Sequence, residues 1–166
     1  MAAGYLLGCF WTTLAVALTA FVLRLFSGGA HSSSPLTCSL IGMVIVPLLG
    51  KTAAVAAPFL NPVSLSVIVI SGFIPSLLIN RRLAPVDSPA KPINDMKKRR
   101  KLRLLSGLAV LVLTVVQLVL SFFGLIPSIV LAVSLGLWWQ TFSLTGAAHR
   151  FAAFIDNLTE KGGETA

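Results

Sequence analysis

Five long apolar runs, each close to the length of a bilayer-crossing helix, dictate what this chain can fold into. They are Gly4–Phe26, Pro35–Leu60, Val63–Ile79, Leu104–Phe123 and Ile129–Gly146. A helix needs ~20 apolar residues to cross ~30 Å of hydrocarbon, because each residue adds ~1.5 Å. Within lipid every backbone N–H and C=O must find a partner in the chain, and a helix provides this by itself. Hydrophobic residues make up 56% of the chain and charged residues 11%, whereas soluble domains carry about 25% charged residues. The mean hydropathy is +0.92. The expected fold class is therefore all-α: a polytopic transmembrane helical bundle of about five spans. No separate soluble domain fits in what remains.

Within these runs, the breakers and polar residues carry the detail. The first run has no charge before Arg24, is too long for a signal-peptide core, and has no basic residue ahead of it. It reads as one span, in which Cys9 packs as a small apolar side chain and Thr12, Thr13 and Thr19 bond back to the helix. The second run contains Pro47, Gly50 and Lys51, so it is expected to be broken near its middle. Lys51 is either a functional charge at membrane depth or a side chain that snorkels to the far interface, and the second reading is preferred. Asn61-Pro62 reads as a turn. Trp138 and Trp139 suit an interface. From Ala147 the chain is mixed, and Glu160–Ala166 reads as a disordered tail.

The net charge of +8 is concentrated: nine of the 13 Lys and Arg lie between Arg81 and Arg103. Cationic loops stay on the cytoplasmic side of a membrane, so this segment is expected there. The third span then runs inward and the second outward, which brings the loop before the second span to the same face. Arg24, Arg150 and Lys161 agree with that orientation, and the N-terminus falls outside. The K-K-R-R-K run is explained by orientation and contact with anionic membrane lipid. Nucleic acid is excluded as a partner, because no folded module or interleaved aromatics accompany the charge.

One polar stretch stands apart, R-L-F-S-G-G-A-H-S-S-S-P-L-T-C over Arg24–Cys38. Ser34-Pro35 marks a helix start, Ser as cap and Pro in the first helical position. Cys38 falls in the first turn, where unpaired N–H groups and the helix dipole favour a thiolate. His31 lies seven residues earlier. On one straight helix the pair would stand ~10.5 Å apart along the axis, but Gly28-Gly29 and the Ser run permit a loop that folds the imidazole back. A thiol with an imidazole in reach is the minimum for nucleophilic catalysis. The competing reading is a packed cysteine and an idle histidine. Cys9 and Cys38 do not form a disulfide framework, and on the reducing cytosolic side Cys38 would remain a thiol.

These residues resemble the accessory gene regulator B (AgrB) endopeptidases, which process quorum-sensing propeptides in Gram-positive bacteria. The resemblance rests on the Gly-x-His-x6-Cys stretch above and on A-P-V-D-S-P-A-K-P-I-N-D with the basic run after it, in the same order and separation. It covers the chain from Arg24 to the end of the fifth span. It implies a cysteine-type endopeptidase of the bacterial cell membrane, with catalytic His31 and Cys38 at the cytoplasmic face. Arg24 and Gly29 fall on further positions of the motif, where topology and turn geometry are the plainer explanations. The chain then divides into a transmembrane peptidase domain over 1–150 and a cytoplasmic C-terminal tail over 151–166.

The implied substrate is an amphipathic propeptide, cut through a Cys38 thioester that allows thiolactone or lactone closure. Oxyanion donors are sought at the Pro35 helix start or along Gly28–Ala30. Asp87 is a candidate to orient His31 if its loop folds back, against turn capping at Asp-Ser-Pro. Lys91, Lys97 and Lys98 are candidates for acidic residues of the propeptide, against lipid contact. No cofactor and no metal is called for, and a homodimer is implied. Family members usually carry a longer stretch ahead of the motif, with an amphipathic segment and another span. A rival class is a small transport protein or a propeptide-binding protein without activity, for which Lys51 and a broken second helix are the best evidence.

Overall fold

The computed structural model describes the backbone of residues 2–29, 35–86 and 95–163, with the side chains of all of these except 2, 35–38 and 157–163. The elements run α1 (Ala2–Leu6), α2 (Phe10–Ser27), α3 (Pro35–Ala56), a 3-10 turn (Ala57–Phe59), α4 (Pro62–Leu83), α5 (Met96–Phe122), α6 (Pro127–Ser143) and α7 (Gly146–Gly163). No strand occurs among the described residues. Helices α2 and α4, α5 and the run Ser39–Phe59 are each long and apolar enough to cross a membrane, and α6 with α7 forms a further pair bent by 81°. The chain is a membrane protein of the expected all-α class.

Several boundaries differ from expectation for local reasons. The first run is not one helix. Gly8, at φ +66°, turns the chain between α1 and α2, and Cys9 N–H closes the corner on Gly4 O at 2.9 Å. The second helix is not broken at its middle. Helix α3 continues through Pro47, and the change of geometry comes later, at the 3-10 turn containing Pro58. Lys51 is exposed, and its Nζ donates to Leu7 O at 3.0 Å, tying the end of α3 to the α1 corner. The turn at Asn61 holds, with Asn61 Oδ1 accepting from Ser64 N–H at 2.8 Å as a helix cap does. Helix α5 begins at Met96, so the K-K-R-R-K run forms its first turns, capped by Asp95 accepting from Lys97 N–H at 2.8 Å. The chain beyond Ala147 is helical to Gly163, reaching into the stretch expected to be a disordered tail.

The bundle is apolar outside and speckled with polar groups inside. Trp11, Phe21, Leu48, Val67 and Ile74 are exposed, as lipid contact requires, whereas Thr13, Ser27, Ser76, Ser106, Gln117, Ser134 and Gln140 are buried. Between spans there is little hydrophobic drive, since lipid is as apolar as leucine, so close packing of small residues and interhelical hydrogen bonds hold the helices. Gly136 of α6 lies where a Cβ would stand 3.0 Å from Thr19 and from Val16 O of α2. Ser134 Oγ donates to Gln117 Oε1 at 2.5 Å, and Thr141 Oγ1 donates to Ser76 Oγ at 2.7 Å. Helix α6 packs against α2, α3, α4 and α5 alike. It is the central helix of the bundle, and Trp138 covers Gly72 of α4.

Candidate functional site

The end of α2, the start of α3, the end of α4, the start of α5 and the end of α6 all lie at one end of the bundle, as antiparallel neighbours must. There the two polar stretches of the sequence meet. Helix α2 stops at Ser27 because Gly28 takes φ +70° and Gly29 φ +153°, a region that favours glycine. Val86 N–H, just after α4, donates to Ser27 O at 2.9 Å. A Cβ on Gly28 would run into Val86 O, and one on Gly29 would stand 2.8 Å from Ser143 Oγ. Gly29 is thus required by close approach as well as by turn geometry.

Helix α6 locks this crossing from inside. Gln140, 2% exposed, donates through Nε2 to Gly28 O at 2.7 Å and to Ser27 Oγ at 3.2 Å. Ser27 Oγ in turn donates to Leu23 O at 2.8 Å. From α5, Arg103 Nε donates to Ala84 O at 2.8 Å and fixes the segment that carries Val86. All but the bond to Ser27 Oγ end on backbone carbonyls, and such bonds are costly to break where water is scarce.

The expected site residues are placed unevenly. Arg24, half-buried, lies in the last turn of α2, and its carbonyl accepts Gly28 N–H at 3.0 Å. That bond takes Gly28 N–H out of the candidate oxyanion donors, and α3 opens at Pro35 as expected. Cys38 is the fourth residue of α3. Lys97 and Lys98 are exposed in the first turn of α5. His31, Asp87 and Lys91 lie outside the described residues. His31 comes two positions after Gly29, and Asp87 directly follows Val86, so the described ends of both loops stand side by side. Of the remaining groups, Cys9 is buried beside Thr13, and exposed His149 turns its Nδ1 to Thr145 O. No cluster of three or more His, Cys, Asp or Glu occurs among the described residues.

Comparison with known proteins decides what this arrangement belongs to. The model of the accessory gene regulator B family matches residues 1–144. This chain belongs to the AgrB family. An AgrB-like protein of Clostridium perfringens strain SM101 is 32% identical over 152 residues, which covers 86% of this chain and 70% of that protein. A second AgrB-like protein, from strain 13 of the same species, is 30% identical over the same span. No solved structure gives a significant match. AgrB membership associates the chain with quorum-sensing peptide processing.

Sequence reasoning missed Gln140, Ser143 and Arg103. The signal for Gln140 was present: an amide within an apolar run must be satisfied inside the bundle. It could not say which carbonyl the amide would reach.

Proposed function

We propose that this AgrB protein is a membrane cysteine endopeptidase that cleaves an amphipathic autoinducing propeptide at the cytoplasmic face. The observation that carries the reading is the shared anchoring of the two polar stretches. Ser27–Gly29 and Ala84–Val86 are pinned to one another and to α6, at the end of the bundle where α3 begins with Cys38 in its first turn. The nine cationic residues between Arg81 and Arg103 favour the cytoplasmic side for that end.

In this mechanism His31 takes the Cys38 thiol proton, and the thiolate attacks the scissile carbonyl. N–H groups at the start of α3 hold the oxyanion. The tetrahedral adduct collapses, the amine of the C-terminal fragment leaves with the proton from His31, and the N-terminal part remains as a thioester on Cys38. A Cys or Ser of the peptide then displaces the enzyme sulfur, closing a thiolactone or lactone and returning the thiolate. Asp87 is assigned to orient His31, because the residue before it is bonded to the segment that leads to His31. Lys91, Lys97 and Lys98 are assigned to acidic residues of the propeptide, and the protein is taken to act as a homodimer.

The transport reading loses its two supports, since α3 is continuous through Pro47 and Lys51 is engaged with the Leu7 carbonyl. The test is reconstitution in proteoliposomes with the cognate propeptide. Wild type cleaves and forms a thioester adduct on Cys38 that mass spectrometry detects, and Cys38→Ser forms none. Retention of cleavage by Cys38→Ala would overturn the proposal.

A further inference from the structure

A groove of about 480 Å³ runs between α4 and α5 on the outside of the bundle, within the ~300–1,000 Å³ range of small-ligand sites. Its rim holds Arg81, Arg100 and Arg103, and among the described residues no carboxylate lines it. Its floor is Leu77 from α4 with Leu104, Gly107, Leu108 and Leu111 from α5. On α5 these residues recur every three or four positions, which places them on one stripe. On α4, Leu77 and Arg81 are one turn apart. A Cβ added at Gly107 would meet Leu77 Cδ1 at 3.9 Å and nothing nearer, so these two residues face each other across the floor.

The two helices therefore change from guanidinium to leucine at the same depth. Snorkelling explains single cations near a helix end. It does not explain why cations from two helices bracket one recess whose floor is open and apolar. A free anion would use the rim and ignore the floor, and an apolar tail would use the floor and ignore the rim. A ligand with a phosphate followed at once by hydrocarbon uses both. Arg103 is held in place by its Nε bond to Ala84 O, and planar guanidinium groups match phosphate oxygens in pairs.

We propose that the α4–α5 groove binds one anionic glycerophospholipid, with its phosphodiester among Arg81, Arg100 and Arg103 and an acyl chain along the leucine floor. Through Arg103 the groove adjoins the Ala84–Val86 segment, so an occupied groove would steady that segment.

The test uses the full chain purified in detergent and titrated, under native mass spectrometry, with phosphatidylglycerol or phosphatidylcholine of identical acyl chains. Wild type retains one phosphatidylglycerol in preference to phosphatidylcholine. Arg81→Gln with Arg100→Gln weakens that binding by about tenfold or more. Arg82→Gln with Lys101→Gln removes the same charge from the neighbouring positions, at the same depth but outside the groove, and leaves binding near wild type. Gly107→Phe fills the floor without changing charge and lowers binding as well. Equal retention of both lipids would overturn the proposal, as would equal losses in the two double variants. Displacement of phosphatidylglycerol by a soluble glutamate-rich peptide, at concentrations where short-chain phosphatidylglycerol fails to displace it, would reassign the groove to peptide.

Discussion

At the end of the bundle away from the His-Cys motif, the connections are short and closed by residues next to them in sequence. Asn61 caps α4 from one residue before it, and Leu125 N–H reaches Leu120 O at 2.8 Å to turn α5 towards α6. At the motif end, the connections after α2 and α4 are long, and their described parts are held by partners far along the chain. Gln140 lies 112 positions from Gly28, and Arg103 lies 19 from Ala84. A local cap forms with its own helix. A long-range clamp exists only when the whole bundle is assembled. Binding and catalytic residues sit disproportionately on loops held by a rigid scaffold, and here the scaffold is α6.

Substitutions at matched positions sharpen this contrast. Cys38→Ala should abolish propeptide cleavage in proteoliposomes while leaving the thermal transition in detergent unchanged; surviving cleavage would remove the motif end from the chemistry. Gly28→Ala forces a Cβ against Val86 O at a positive φ. Strain of this kind costs ~1–3 kcal/mol, and cleavage should fall about 10- to 100-fold. Its counterpart Gly8→Ala, also at positive φ but with nothing within 4 Å of the added Cβ, should lower stability slightly and spare activity. Equal losses of activity from both would mean that the two ends are not functionally distinct.

Gln140→Leu removes two interhelical hydrogen bonds, and such bonds in membranes average ~0.6 kcal/mol and reach ~1.7. At the average value the two together make ~1.2 kcal/mol, so cleavage should drop about eight-fold. Ser134→Ala breaks the Ser134–Gln117 bond in the bundle middle, so it should shift the thermal transition by a comparable energy with cleavage retained. The smallest effect belongs to Lys51→Met. Losing the exposed bond to Leu7 O should cost below ~1 kcal/mol and leave cleavage at the wild-type rate; a large loss would revive a transport role for Lys51.

The α4 span and the helix starts at Pro35 and Asn61-Pro62 were legible because each rests on local chemistry: apolar length, a fixed proline φ, a capping side chain. The Gly28-Gly29 turn was legible as a loop, but the atoms that forbid a side chain there were not, since Val86 and Ser143 are remote in sequence. Two misreadings have the same origin. Pro47 looked like a break, but helix α3 absorbs the loss of one hydrogen bond and continues. The first run does provide one span, α2, but it looked like one continuous helix, although the glycine that turns it, Gly8, was in plain view between apolar neighbours that hid its role.

Apolar length and the clustering of cations determined, from the sequence alone, that this AgrB chain is a helical membrane bundle with its polar stretches at one end. Lipid allows few other ways to satisfy a backbone. Tertiary structure alone decided that α6 is the central helix and that Gln140 clamps Gly28. It also brought Ser27 to Val86 and set three arginines around one groove. Those contacts join residues with no local relation, and their partners are chosen only when the helices pack.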